Sequence, residues 1–194
     1  MKVIGLTGSI GMGKSAVAGM LRRLQVPVFD ADVAVHLLQG PGGLLLPAIE
    51  ARFPGTTGPR GVDRAKLGAL VLGNTGELRA LERIVHPAVG RMRRQFLNRH
   101  RSRRMVVLDI PLLYEKGGAK GMHAVIVVSA PAIIQRHRVL RRKGMTEAKF
   151  RQILARQVPD RIKRARAEHI IETGRTKWRT FADVRRLVAC LRAR

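Results

Sequence analysis

At 194 residues the chain can build one α/β domain with a substantial core and a small insertion, and a hydrophobic share of 45% excludes a globally disordered polymer. The lone Cys190 excludes an internal disulfide framework, no apolar run approaches the roughly 20 residues that span a bilayer, and residues 1–10 do not read as a leader. The expected compartment is the cytoplasm, off the membrane. A formal charge of +25, from 38 Lys and Arg against 13 Asp and Glu, attracts polyanions, although a habit of using Arg for surface charge explains the excess equally well. Five Phe, one Trp and one Tyr leave few platforms for stacking bases, so no nucleic-acid partner is expected.

In chain order, the pattern predicts a buried strand over 2–7, with Val3, Ile4 and Leu6 in a short run ended by Gly8. A helix follows from Lys14, its apolar face formed by Val17, Met20, Leu21 and Leu24. Pro27 interrupts, and Val28-Phe29 makes a second strand ending at Asp30-Ala31-Asp32. Between about 33 and 103 there is no strong strand signal. Helical segments there are separated by Gly40-Pro41-Gly42-Gly43, Pro54-Gly55, Gly58-Pro59 and Asn74-Thr75-Gly76, so the stretch reads as a helical insertion. Met105 to Asp109 is a third buried strand and Ala124 to Val128 a fourth. Helical patterns fill 131–142 and 146–157, a last strand covers His169 to Ile171, and a closing helix starts near Thr180 with Asp183 as its capping-box partner. Phe181, Val184, Leu187, Val188 and Leu191 form the buried face of that helix.

Five short strands joined by helices fit a doubly wound parallel sheet, in which ligands bind beyond the carboxyl ends of the strands. Gly8, Asp32, Asp109 and Ser129 all fall at such ends. Gly8-Ser9-Ile10-Gly11-Met12-Gly13-Lys14-Ser15 matches G-x-x-x-x-G-K-[ST] at every fixed position, after a predicted strand and at the start of a predicted helix. Glycines at 8, 11 and 13 let the backbone N–H groups wrap phosphate oxygens, and the helix turns its positive end toward them. Lys14 is expected at the β- and γ-phosphates of ATP, and the Ser15 hydroxyl on Mg²⁺. The bland alternative is a glycine turn without a ligand.

A phosphate loop does not name the acceptor. No N-K-x-D occurs, and Asp109 is followed by Ile110-Pro111-Leu112 rather than the D-x-x-G of a GTPase, which leaves small-molecule and nucleotide kinases. Asp32 is the preferred base to orient an acceptor hydroxyl and take its proton, while Asp30 reads as a cap of the following helix; the bland alternative makes both acids caps or surface turn residues. Asp109 ends a buried strand where a carboxylate holds Mg²⁺, or serves only as a strand-end acid. Residues 135–166 carry twelve Lys or Arg with only Glu147 and Asp160 as acids, which reads as a mobile lid. Arg138 is the first choice there for neutralising charge on the transferred phosphoryl group, with Arg142 one turn away.

These residues resemble the dephospho-CoA kinase family. Residues Gly5 to Ser15 look like its G-L-T-G-G-I-G-S-G-K-[ST], and Asp30-Ala31-Asp32 like its D-A-D. His86-Pro87 matches its H-P, and Leu108 to Glu115 is similar to its [VL]-x-[VI]-P-L-L-[FY]-E. Gln135-x-x-Arg138, Gln157 and Ala167-Glu168-His169-Ile170-Ile171 add weaker matches, and the whole runs from about residue 2 to 190. Ser9 and Met12 depart from the family's Gly and Ser, as side chains expected to point outward from a backbone cradle, and Ala16 replaces a common Thr.

The resemblance implies a P-loop NTPase core over 1–32 and 104–194 with a five-stranded parallel sheet and a helical lid at about 135–166. It also implies a helical acceptor-binding insertion over 33–103. The implied reaction moves the γ-phosphoryl of ATP, with Mg²⁺, to the ribose 3′-hydroxyl of dephospho-CoA, the last step of coenzyme A biosynthesis. Nucleotide contacts fall on Gly8, Gly11, Met12, Gly13, Lys14, Ser15 and Ala16, and metal contacts on Ser15 and Asp109. Asp32 and Arg138 carry over as catalytic groups that also meet the acceptor, beside Lys14. His86 and the stretch from Leu112 to Glu115, Leu113 included, carry over as parts of the acceptor pocket. For His86 a helix-end histidine packed beside Pro87 fits as well, and Tyr114 reads equally as core. A nucleoside kinase on the same core and a nucleic-acid-binding protein using the loop as a switch are the rival readings.

Overall fold

The structure is a computed structural model and describes residues 1–115 and 117–193. The chain divides into two compact units, Met1–Phe29 with His100–Arg194, and Asp30–Arg99.

The first unit is built on a five-stranded sheet. Its strands are β1 (Lys2–Thr7), β2 (Val28–Asp30), β5 (Met105–Asp109), β6 (Ala124–Ser129) and β7 (His169–Glu172), in the spatial order β2-β5-β1-β6-β7. β1 runs parallel to both β5 and β6, and β6 runs parallel to β7. Every residue of β5 and β6 is buried, and their Val- and Ile-rich runs are what a sheet covered on both faces requires. Helices α1 (Lys14–Arg23) and α9 (Lys177–Ala193) lay Val17, Leu21, Val184 and Val188 against Ile4, Leu6, Val107 and Ile126 in one core. A smaller cluster on Leu113, Val125 and Val127 gathers Ile110, Tyr114 and Met122. Between β6 and β7 the chain forms α6 (Ala132–Leu140), α7 (Glu147–Ala155) and α8 (Asp160–Ala165).

The second unit holds α2 (Ala31–Gln39), α3 (Leu46–Arg52), α4 (Arg64–Val71) and the long α5 (Thr75–Arg99) around Leu38, Ile49, Phe53, Leu67, Val71 and Val85. Two aspartates start helices in the same way. Asp30 Oδ1 accepts from the N–H groups of Asp32 and Val33, each at 3.1 Å, and Asp63 Oδ1 from those of Ala65 and Lys66 at 3.0 and 3.1 Å. A short antiparallel hairpin, β3 (Thr57–Gly58) with β4 (Gly61–Val62), lies where the pattern showed no strand.

Three expectations are corrected. The closing helix begins at Lys177, three residues before Thr180, and the Thr176 hydroxyl accepts from Arg179 N–H at 3.4 Å. Thr180 cannot cap because it is buried and its hydroxyl donates to the Glu172 carbonyl at 3.2 Å. His86 is not at a helix end: α5 runs through Pro87, which removes one backbone donor from the helix interior. Ser9 and Met12 do not point outward. They are 5% and 2% exposed, and the Met12 sulfur accepts from Ala130 N–H at 3.1 Å, so both side chains fill the space behind the loop.

Candidate active site

In the first unit the loop from Gly8 to Ser15 connects β1 to α1 at the carboxyl end of the sheet. Gly13 sits at φ 87°, a conformation that disfavours side chains, and a Cβ there would lie 2.9 Å from Thr173 Oγ1. Gly8 packs so closely on β6 that a Cβ would lie 2.7 Å from the Val128 carbonyl oxygen. Ser15 and Ala16 are exposed at the start of α1, where the Ala16 N–H donates to the Gly13 carbonyl at 3.0 Å.

Lys14 Nζ lies 2.5 Å from Asp109 Oδ1, the carboxylate being almost fully buried at the end of β5. Arg138, on α6, donates twice to Thr173: to the carbonyl oxygen at 2.6 Å and to Oγ1 at 2.9 Å. The Thr173 hydroxyl in turn donates to the Met12 carbonyl at 2.6 Å, and its backbone N–H to the Ser129 carbonyl at 2.8 Å. The structure therefore brings the glycine loop, Lys14, Asp109 and Arg138 to one end of the sheet.

Below α8 the ends of β6 and β7 carry an ionic network. Ser129 Oγ donates to Asp160 at 2.7 Å, and Arg164 reaches Ser129 Oγ at 3.0 Å and Glu172 at 2.5 Å. The hydrogen bond to Glu172 raises the Arg164 guanidinium above its ordinary value, against partial burial. Lys163 is fully buried with its ammonium 2.8 Å from Glu115 Oε1, which also accepts from Val158 N–H at 2.9 Å. Burial alone pushes the Glu115 carboxyl up, but Lys163 and the Val158 N–H together outweigh it and hold the carboxyl below its ordinary value. Tyr114 donates its hydroxyl to the Arg166 carbonyl at 2.9 Å, and burial, then the nearby Glu168, raises its phenol. Leu113 is 0% exposed, so its side chain makes core contacts rather than lining a surface.

Asp32 and His86 belong to the second unit. Asp32 is exposed in the first turn of α2, one turn ahead of His36, whose Nδ1 meets Arg64 Nη2 at 2.5 Å. His86 is exposed with Nε2 4.0 Å from Glu82. Among the described residues no group of three or more His, Cys, Asp or Glu could hold a metal ion. The Ser15 hydroxyl and the Asp109 carboxylate are hard oxygen donors of the kind that suit Mg²⁺, which takes few protein ligands beside phosphate and water. No helix among the described residues is long and apolar enough to cross a membrane.

The sequence profile described as dephospho-CoA kinase matches residues 2–177. The chain belongs to the dephospho-CoA kinase family. A curated protein of Novosphingobium aromaticivorans named dephospho-CoA kinase is 63% identical over 190 residues, covering 98% of this chain and 94% of its own length. A crystal structure of a Thermus thermophilus protein superposes with a TM-score of 0.87 at 33% identity, over 97% of this chain and 96% of that one. A dephospho-CoA kinase from Campylobacter jejuni shares the fold, with a TM-score of 0.67 at 21% identity over 98% and 97% of the two chains. As a member of the family the chain is an ATP-dependent kinase, and its acceptor is dephospho-CoA.

Within the family frame, Thr173 is the residue that sequence reasoning missed. It follows β7, 161 residues from the Met12 carbonyl that it holds. Its position just past the carboxyl end of a strand was the available signal, since ligand sites gather there.

Proposed function

We propose that the chain moves the γ-phosphoryl group of ATP to the ribose 3′-hydroxyl of dephospho-CoA with its loop from Gly8 to Ala16 around the triphosphate. N–H groups of Gly11, Gly13, Lys14 and Ser15 are the ones offered to the phosphate oxygens, since those of Met12 and Ala16 donate to the Ser9 and Gly13 carbonyls, and Lys14 leaves Asp109 to meet the β- and γ-phosphates. Ser15 and Asp109 would hold Mg²⁺, which neutralises charge on the phosphoryl oxygens when bound. Arg138 supplies a further positive charge at the transferred group, and Asp32 orients the acceptor hydroxyl and takes its proton. The 30–99 unit is the acceptor-binding part, with His86 on its surface, and 135–166 acts as a lid. Leu113 acts from the core, supporting the 110–112 loop. The reaction is expected in the cytoplasm, without nucleic acid.

The observation that carries this reading is the Lys14–Asp109 pair behind a glycine loop that Arg138 reaches through Thr173. Phosphoryl transfer needs little covalent chemistry from a protein and much positioned positive charge, which is what this end of the sheet supplies. The test is ADP release coupled to dephospho-CoA, with adenosine as the control acceptor, in wild type and Asp32→Asn. The variant is expected to bind ATP normally and to lose at least about 100-fold in turnover, within the range general-base catalysis contributes. Near-normal turnover would remove Asp32 from its role, and stimulation by adenosine alone would favour a nucleoside kinase.

A further inference from the structure

Ile10, at the tip of the phosphate loop, has both of its backbone polar groups taken by glutamine side chains. Its N–H donates to Gln157 Oε1 at 3.1 Å, and its carbonyl accepts from Gln135 Nε2 at 2.7 Å. Because the backbone partner is a donor in one case and an acceptor in the other, the two carboxamides have fixed and opposite orientations. Gln135 is 6% exposed on α6, and Gln157 is half-buried just after α7. Contact is close on this side of the loop: a Cβ on Gly11 would come within 2.9 Å of the Gln135 carbonyl oxygen.

A trans peptide points its C=O and the next residue's N–H in opposite directions. Holding the Ile10 carbonyl outward on Gln135 therefore turns the Gly11 N–H to the other side. The same geometry applies two residues on, where Thr173 holds the Met12 carbonyl and the Gly13 N–H is turned away from it. Ties on alternate carbonyls thus aim alternate N–H groups, and the fixed orientation means that no loop reorganisation is needed when phosphate arrives.

We propose that Gln135 and Gln157 are positioning residues for the nucleotide, acting through the Ile10 backbone to set the direction of the Gly11 N–H. They also fasten the two ends of the basic 136–156 segment to a single residue of the loop, so the shape of the loop and the placement of that segment are coupled. The proposal rests on the phosphate loop being the nucleotide site.

The two polarities give a test that a packing role would not pass. Gln135→Glu replaces a needed donor by an acceptor facing the Ile10 carbonyl, whereas Gln157→Glu keeps the acceptor that Ile10 N–H requires. Both add one negative charge beside the same residue, so repulsion of the triphosphate is common to both and cancels in the comparison. With a fluorescent ribose-labelled ATP as probe, Gln135→Glu is expected to bind at least about tenfold more weakly than Gln157→Glu, a difference of about 1.4 kcal/mol. In steady state the loss should fall on KM for ATP, with KM for dephospho-CoA unchanged. Gln157→Leu, at a half-buried position that tolerates change, should bind several-fold more weakly than Gln157→Glu, which covers the case in which Gln135→Glu does not fold. Equal affinity of the two Glu variants, or Gln157→Leu binding as tightly as Gln157→Glu, overturns the proposal. A wild-type protein that does not bind the probe overturns the nucleotide site itself.

Discussion

Replacing Thr173 with valine keeps the side-chain shape and removes one oxygen that makes two strong contacts. That oxygen donates to the Met12 carbonyl at 2.6 Å and accepts from Arg138 at 2.9 Å. Met12 is buried, so its carbonyl loses its hydroxyl partner away from bulk water, at a cost of about 1–3 kcal/mol. Arg138 retains its 2.6 Å bond to the Thr173 carbonyl and, being half-buried, recovers part of the loss from water. The net effect is therefore set by the carbonyl. If the loop relaxes by turning the Met12 peptide, the penalty appears in nucleotide binding, and kcat/KM for ATP should fall about 10- to 100-fold. If the loop holds, the penalty appears as a fall in Tm of roughly 2–4 °C per kcal/mol for a chain of this size. Coupled ADP release and thermal melts on the same preparations separate the two, with Thr173→Ser as the control that restores the hydroxyl. Activity and Tm of Thr173→Val both within error of wild type would refute the reasoning, as would Thr173→Ser failing as badly as Thr173→Val.

Asp30→Ala removes the cap from α2 and should lower stability by about 1 kcal/mol in a melt, in contrast to Asp32→Asn, which should leave Tm in place while turnover falls. Gly13→Ala adds a Cβ at φ 87° and 2.9 Å from Thr173 Oγ1, so ATP affinity should drop at least about tenfold by equilibrium titration. Lys163→Ala leaves the Glu115 charge buried without its cation and should cost about 3–5 kcal/mol by urea unfolding, more than the paired change Lys163→Met with Glu115→Leu. Because the Glu115 carboxyl is held below its ordinary value of 4.5, its contribution is present above that pH and is lost as pH falls through the lower folded value. The wild type should accordingly show an acid-side loss of stability that Glu115→Gln flattens.

How far each part could be read in advance follows from the range of the interactions involved. Strands β1, β5 and β6 were legible because full burial on both faces leaves an unbroken apolar run in the chain itself. The start of α9 was misread because Thr180 and Asp183 have capping-box spacing, while the Thr180 hydroxyl is used by the Glu172 carbonyl. Pro87 reads as a helix breaker, yet α5 carries it, since packing of Val85 and Ala88 in the second unit's core outweighs one lost backbone bond. Leu113 was grouped with a pocket by its neighbours in the motif, but it is the centre of an apolar cluster.

The chemistry of the phosphate loop was decided locally: eight consecutive residues hold the glycines, the lysine and the hydroxyl, so the sequence by itself determined that a triphosphate could be held there. What only the tertiary structure decided is how that loop is kept in shape. Gln135, Gln157 and Thr173 lie 125, 147 and 161 residues away along the chain from the backbone groups they hold. A side chain bonded to a backbone carbonyl leaves no mark on the identity of the residue that owns the carbonyl, since every residue has one. Such ties become visible only when the sheet has folded and brought α6, β7 and the loop to the same end.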